Sequence, residues 1–68
     1  MSKYETIKVA VEDTHILVIS LNRPKKFNAM SFEMFAELEK AIQNEVKGEI
    51  RVVVLRGEGK HFTAGIDL

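Results

Sequence analysis

The 68-residue sequence contains no cysteine, no tryptophan and only one proline, and neither sign of charge is in excess. Without cysteine the chain can form no disulfide, no thiolate metal site and no cysteine nucleophile. Ten basic and ten acidic residues give a formal net charge of zero, so no general field attracts nucleic acid or an anionic membrane. We therefore expect any anionic ligand to be bound by a local group of residues.

Long apolar runs are also missing. No stretch approaches the roughly 20 residues that span a bilayer, and the opening MSKYETIKVA has neither a signal-peptide core nor an arginine-rich transit pattern. We expect a soluble intracellular protein with no membrane or nucleic-acid partner. A chain this short buries only about 60% of its unfolded surface, so we expect further protein to complete its core.

The hydrophobic pattern predicts the order strand, strand, helix, strand, and hence an α/β fold. Residues 4–11 alternate as in a half-buried strand, and residues 15–21 are apolar on both faces; together they read as a hairpin. Ser31 is a candidate helix N-cap and Gly48 the natural stop. The run VVVL at residues 52–55 is typical of a covered parallel strand, and a helical crossover implies that it pairs parallel with the second strand.

The predicted helix carries an apolar stripe, and we expect this stripe and the VVVL strand to be left uncovered in these 68 residues alone. Its members are Met34, Phe35, Leu38, Ala41, Ile42 and Val46. Glu45 falls inside this stripe, which indicates either a helix end that leaves the core or a cationic partner. A parallel sheet needs a layer on both faces, and one helix supplies half of that covering.

Two glycines after the third strand invite a phosphate-loop interpretation, which the residues do not support. A dinucleotide fingerprint would need glycine where Phe62 stands, and a P-loop would need serine or threonine where His61 stands. Gly57 and Gly59 are better explained by a tight turn. The two histidines have no carboxylate at ligand spacing, so no metal site is expected.

The segment Ala64-Gly65-Ile66-Asp67 has two interpretations. Small residues after a buried strand let the backbone approach a ligand and aim N–H groups at it, as in half of an oxyanion hole. On pattern alone, a glycine turn that leads into a helix capped by Asp67 is favoured. Lys25 and Lys26 are either an ordinary solvated pair or, beside Arg23 and Phe27, a site for a phosphate-bearing ligand with an apolar arm.

Two separated motifs carry a family resemblance: ISLNRPKKFNAMS at residues 19–31 and VVVLRGEGKHFTAGIDL at residues 52–68. At this spacing they resemble the N-terminal part of the crotonase superfamily, the enoyl-CoA hydratase/isomerase proteins. The resemblance runs over almost the whole chain. It implies that residues 1–68 are the incomplete N-terminal part of one crotonase-like domain, the first ββαβ portion of a spiral of ββα units.

The resemblance also implies the ligand and the site. Members of the family bind acyl-CoA thioesters and stabilise a thioester enolate with two backbone N–H groups, of which the first corresponds to the N–H of Ile66. Coenzyme A is part of the substrate, so no separate cofactor is implied. The implied substrate-binding residues are Lys25, Lys26, Phe27, Ala64, Gly65, Ile66, Asp67 and Leu68.

Residues 62–68 are particularly similar to the delta(3,5)-delta(2,4)-dienoyl-CoA isomerases of fatty-acid beta-oxidation. The second oxyanion donor and the catalytic carboxylates lie downstream in relatives, and neither Glu58 nor Asp67 matches them, so we expect these 68 residues alone to be inactive. The alternatives are an enoyl-CoA hydratase and a noncatalytic crotonase-like piece. The family further implies trimers or hexamers, the remainder of the domain as a partner, and a mitochondrial or peroxisomal compartment.

Overall fold

The computed structural model describes residues 3–67 of the chain. The elements follow in the order β1 (Ile7–Glu12), β2 (Ile16–Leu21), a short 3-10 helix (Pro24–Lys26), α1 (Phe32–Glu45) and β3 (Val52–Gly57). The predicted order of two strands, a helix and a third strand is confirmed, and the fold class is α/β. Neither helix in this part of the chain is long and apolar enough to cross a membrane.

The three strands form one sheet with β2 in the middle. β1 pairs antiparallel with β2, with Ile7 opposite Leu21, which confirms the hairpin. β2 pairs parallel with β3, with Leu21 opposite Gly57, as the helical crossover requires. Residues 17–21 of β2 are all buried, which agrees with the apolar pattern on both faces of that strand.

Helix α1 begins as the sequence predicts. The N–H of Met34 donates to Oγ of Ser31 at 3.2 Å, which confirms Ser31 as the N-cap. The helix ends at Glu45, and Gly48 lies in the turn that follows, with a φ of 63°. The core that α1 covers contains seven buried residues: Tyr4, Ile7, Leu17, Ile19, Leu21, Met34 and Ala41.

Only half of the apolar stripe of α1 lies against the sheet. The members that are buried or pack on the core are Met34, Leu38 and Ala41. The members that remain 40–52% exposed are Phe35, Ile42 and Val46. The expectation that the stripe is left uncovered is confirmed for this second group, because α1 packs against β1 and the stripe is wider than that contact.

Strand β3 lies at the edge of the sheet. Its four apolar residues, Val52, Val53, Val54 and Leu55, are each 39–50% exposed. The strand and its parallel pairing are confirmed, whereas the covering that its sequence predicts is not present within residues 3–67. Both faces and the outer edge of β3 are therefore apolar surface.

Two glutamates fix α1 to the residues before β1. Glu45, whose place in the apolar stripe left two interpretations open, lies 3.4 Å from Nζ of Lys3 and so has a cationic partner. The carboxylate of Glu37 accepts the N–H of Glu5 at 2.9 Å and the N–H of Thr6 at 2.7 Å, together with the Thr6 hydroxyl at 2.6 Å. These bonds connect the middle of the helix to the start of the sheet.

The same contacts shift the pKa of two helix carboxyls. Partial burial raises the pKa of Glu37, but the hydrogen bonds from the Thr6 hydroxyl and from the N–H groups of Glu5 and Thr6 outweigh it, so that the pKa lies below its ordinary value. A hydrogen bond with the Glu5 carboxyl, and repulsion from it, raise the pKa of Glu33. Both carboxyls therefore interact with the residues just before β1.

Candidate active site

Two loops meet at the edge of the sheet where the parallel strands end. The first, residues 22–31, follows β2, and the second, residues 58–67, follows β3. Because Leu21 pairs with Gly57, the carboxyl ends of these strands lie side by side. This edge is where open α/β sheets bind their ligands. Every sequence-predicted site residue that the structure describes lies in these two loops, whereas Leu68 lies outside the described residues.

Asn28 joins the two loops and is completely buried. Its Oδ1 accepts the N–H of Arg23 at 2.7 Å, and its Nδ2 donates to the carbonyl oxygens of Glu58 and His61, both at 2.8 Å. Its φ of 57° is a left-handed conformation that asparagine tolerates better than most residues. Because leaving a buried polar group unpaired is costly, this amide holds the loops in a fixed relation.

A short parallel bridge pairs Met30 of the first loop with Ile66 of the second. The N–H of Met30 donates to the carbonyl oxygen of Gly65 at 2.9 Å, and the N–H of Asp67 donates to the carbonyl oxygen of Met30 at 3.0 Å. Gly65 has a φ of 103°, which residues with a side chain rarely adopt. Residues 65–67 therefore run beside Met30 of the first loop, and the chain bends at Gly65, just before the bridge.

These bonds orient the N–H of Ile66 away from Met30. The carbonyl of Gly65 and the N–H of Ile66 belong to one peptide group, and in a planar trans peptide they point in opposite directions. The carbonyl faces Met30, so the N–H faces the other side. It makes no hydrogen bond within residues 3–67. The backbone donor that the sequence singled out is available to an external acceptor.

A small apolar cavity of about 160 Å³ lies beside the bridge. It is lined by Met30, Phe32, Phe35, Ile66 and Asp67. This is below the roughly 300–1,000 Å³ of complete small-molecule sites, so it suits a short apolar part of a larger ligand. The side chain of Ile66 is 67% exposed at its rim.

An ion pair between Arg23 and Asp67 lies next to the Met30–Ile66 bridge. Nη1 of Arg23 donates both to the carbonyl oxygen of Ala29 and to Oδ2 of Asp67, the latter at 3.3 Å. The Arg23 side chain is only 20% exposed, whereas that of Asp67 is 46% exposed. The carboxylate of Asp67 is thus engaged with the first loop.

Lys25, Lys26 and Phe27 form an exposed surface on the first loop. Both lysines lie in the 3-10 helix, and neither forms an ion pair within the described residues. Phe27 is 58% exposed, and its ring meets the ring of His61 edge-on, with the centroids 5.2 Å apart. Two cationic side chains and an aromatic ring therefore lie next to each other in the sequence, immediately before Asn28.

Gly59 and the two histidines were also considered as candidate site residues from the sequence. Gly59 lies in the predicted turn, with a φ of 82°. The Nδ1 of His15 lies 2.9 Å from the carbonyl oxygen of Glu49, far along the chain from His61. Among residues 3–67, no three histidine, cysteine or acidic side chains are grouped as metal ligands would be.

Sequence reasoning missed the part that three side chains play in joining the loops: Arg23, Asn28 and Thr63. Arg23 was predicted only as a neighbour of the lysines at a site for a phosphate-bearing ligand, and Asn28 stood in the quoted motif without a role of its own. A signal was available for Asn28, because asparagine in a turn after proline is a common choice for a left-handed backbone. No comparable local signal marks Thr63.

The chain is thus an α/β unit with an N–H group and an apolar cavity at the carboxyl edge of its parallel strand pair, the edge at which open α/β sheets commonly bind ligands. Comparison with known proteins identifies it. The sequence model of the family described as Enoyl-CoA hydratase/isomerase matches residues 12–68. The chain belongs to this family, and the predicted crotonase resemblance is confirmed.

Individual members of the family are similar to this chain over nearly its whole length. The chain is 46% identical over 66 residues to the mitochondrial Delta(3,5)-Delta(2,4)-dienoyl-CoA isomerase of Mus musculus, covering 96% of this chain and 20% of that protein. A solved enoyl-CoA hydratase/isomerase of Mycobacterium paratuberculosis is 36% identical with a TM-score of 0.88, over 96% of this chain and 26% of the other. A Thermobifida fusca protein solved in complex with acetoacetyl-CoA is 35% identical with a TM-score of 0.80, over 93% and 24%.

Proposed function

We propose that the chain is the N-terminal part of a dienoyl-CoA isomerase of fatty-acid beta-oxidation. The mouse relative bears that name, and residues 62–68 resemble the same group of enzymes. The chain spans about a fifth to a quarter of the length of its relatives, so the activity belongs to a longer protein. A mitochondrial compartment, as named for the mouse relative, is proposed with it, and a peroxisomal one stays a prediction from the family.

The proposed chemistry is enolate stabilisation by a backbone donor. Removal of a proton next to the thioester leaves negative charge on the thioester oxygen, and redelivery of the proton along the conjugated chain moves the double bonds. The N–H of Ile66 donates to that oxygen. The observation that carries this role is the Met30–Gly65 hydrogen bond, which turns the Ile66 N–H away from the bridge.

The remaining site residues have binding roles in this proposal. The cavity beside Ile66 takes a short part of the acyl chain. Lys25 and Lys26 face the phosphates of coenzyme A, and Phe27 supplies apolar contact along it. Ala64, Gly65 and Asp67 line the path of the thioester with backbone atoms, and Leu68, outside the described residues, stays a predicted binding residue. Coenzyme A is part of the substrate, and no separate cofactor is required.

The proton-transfer groups are proposed to come from the rest of the domain. The carboxylate of Glu58 lies 3.7 Å from Nζ of Lys8, and that of Asp67 is paired with Arg23. Both acids therefore have structural partners in this chain. The second oxyanion donor and a carboxylate pair are then supplied downstream, and trimers or hexamers remain the expected assembly.

An amide-to-ester replacement at Ile66 tests the backbone role. A synthetic segment in which the α-hydroxy analogue of isoleucine replaces Ile66 is ligated into the intact enzyme, so that the N–H is lost and the side chain is kept. Loss of one oxyanion donor lowers kcat about 10²–10³-fold. We expect that loss for 3,5-dienoyl-CoA turnover, with KM changed much less.

The matched control is the same replacement at Lys60, an exposed residue of the preceding turn. It keeps the chemistry of the ester but removes no proposed donor, so kcat should stay near that of the all-amide enzyme. Equal kcat for the two esters would show that the Ile66 N–H does not stabilise the transition state.

An enoyl-CoA hydratase is the second candidate, because the family comprises both activities. It would use the same Ile66 donor while water adds across a 2,3-double bond. Turnover of 2-enoyl-CoA but not of 3,5-dienoyl-CoA favours the hydratase. Binding of coenzyme A thioesters without turnover of either favours the noncatalytic alternative.

A further inference from the structure

Three hydrogen bonds run in sequence from Asn28 to the Gly65–Ile66 peptide. The Thr63 hydroxyl donates to the carbonyl oxygen of Asn28 at 2.7 Å. The same oxygen, Oγ1 of Thr63, accepts the N–H of Gly65 at 3.1 Å. The carbonyl oxygen of Gly65 then accepts the N–H of Met30 at 2.9 Å. A single threonine hydroxyl thus connects a fully buried asparagine to the glycine that precedes Ile66.

These hydrogen bonds matter for the backbone conformation of Gly65, because side-chain packing does not restrict it. A methyl group built on Gly65 would meet no atom within 4 Å, so packing does not define its conformation. Glycine also has the widest range of backbone angles. The Thr63 bond fixes the peptide before Gly65, and the Met30 bond fixes the peptide after it. One hydrogen bond on each side of this flexible residue leaves its φ and ψ little freedom.

We propose that Thr63, held by Asn28, is a positioning residue that sets the direction of the Ile66 N–H. This inference rests on the proposed function, since the direction matters only if that N–H meets the enolate oxygen. Thr63 touches no reacting atom. It acts through the Gly65 peptides, and its hydroxyl is used once as donor and once as acceptor while its methyl group has no part in the sequence of bonds.

Two substitutions separate the hydroxyl from the shape of the side chain. Thr63→Val keeps the volume and loses both hydrogen bonds, whereas Thr63→Ser keeps both bonds and loses a methyl group. In the intact enzyme we expect Thr63→Val to lower kcat about tenfold, the effect of one or two hydrogen bonds, with KM changed less than about twofold. Thr63→Ser should retain most of the native kcat.

A second measurement does not depend on activity. Hydrogen exchange at the Gly65 amide should be faster in Thr63→Val than in the native protein and unchanged in Thr63→Ser, because only the first loses the acceptor of that N–H. Thr63→Ala, which also lacks the hydroxyl, should repeat the result of Thr63→Val. It replaces that variant if the valine form does not fold.

Each outcome is decisive. Native kcat and native exchange in Thr63→Val overturn the positioning role while the proposed function stands. Equal loss of kcat in Thr63→Val and Thr63→Ser also overturns it, because packing of the methyl group would then be the cause. If the native enzyme turns over neither 3,5-dienoyl-CoA nor 2-enoyl-CoA, the proposed function fails, and the role assigned to Thr63 fails with it.

Discussion

Asn28 makes its cross-loop contacts with backbone atoms 30 and 33 residues away in the sequence. Any residue type offers a carbonyl oxygen, so no pattern at Glu58 or His61 reveals the partner. The N-cap at Ser31 could be predicted because its partner, Met34, is three residues away and the geometry is local. The segment that contains the proposed backbone donor could be named from the sequence, whereas the side chains that contact it depend on how the loops meet.

The close packing of backbone around Gly57 predicts that a side chain at this position destabilises the fold. A Cβ at this position would lie 2.6 Å from the carbonyl oxygens of both His61 and Phe62, and backbone atoms cannot move aside as a flexible side chain can. Gly57→Ala should displace the second loop and lower the free energy of unfolding by about 1–3 kcal/mol, as overpacking does. Urea denaturation of the intact protein measures the change.

The control is Gly48→Asn, at a position with a φ of 63° and nothing within 4 Å of an added Cβ. Asparagine accepts that conformation, so the cost should be small. If Gly57→Ala is no more destabilising than Gly48→Asn, the close approach at Gly57 is not a constraint on the fold.

At the scale of elements, the sequence predicts where helix α1 begins, but only partly predicts which of its residues are buried. Periodicity identifies which residues share a face, but the width of the covered face depends on what the helix meets. Here Met34 and Ala41 are buried, while Ile42 on the same stripe is 52% exposed. The attachment of the helix through Glu37 to Glu5 and Thr6 had no signal, since two of its three donors are backbone N–H groups.

The Glu37 contact predicts a dependence of stability on pH. Its folded pKa lies below the ordinary value, so the unfolded chain takes up the proton first as the pH falls. The stabilisation is therefore present above the ordinary glutamate pKa of about 4.3 and is lost as the pH falls through the lower folded pKa. Glu37→Gln should lower the free energy of unfolding by about 1 kcal/mol at neutral pH, a modest value because the group is partly exposed.

At a pH below the folded pKa of Glu37, the native protein and Glu37→Gln should converge in stability, because the carboxyl is then protonated in both folded and unfolded states. Glu39→Gln, at an exposed position of the same helix, serves as the control and should change stability little at either pH. A constant difference between native protein and Glu37→Gln across this range would show that the charge of Glu37 is not what the contact requires.

At the scale of the whole molecule, both the topology and the incomplete covering of the sheet followed from the sequence. A helix between two strands has one favoured handedness, so the parallel pairing of β2 with β3 could be derived. That pairing brings the two loops together. The apolar residues of β3 are 39–50% exposed within residues 3–67, and the chain spans 20% of its mouse relative.

The central claim is that these loops belong to an isomerase of dienoyl-CoA thioesters. The most direct measurement is the comparison of kcat/KM for 3,5-dienoyl-CoA and 2-enoyl-CoA with the intact protein. We predict faster turnover of 3,5-dienoyl-CoA, with 2,4-dienoyl-CoA as product. Faster turnover of 2-enoyl-CoA with a 3-hydroxyacyl-CoA product, or turnover of neither thioester, would contradict that claim.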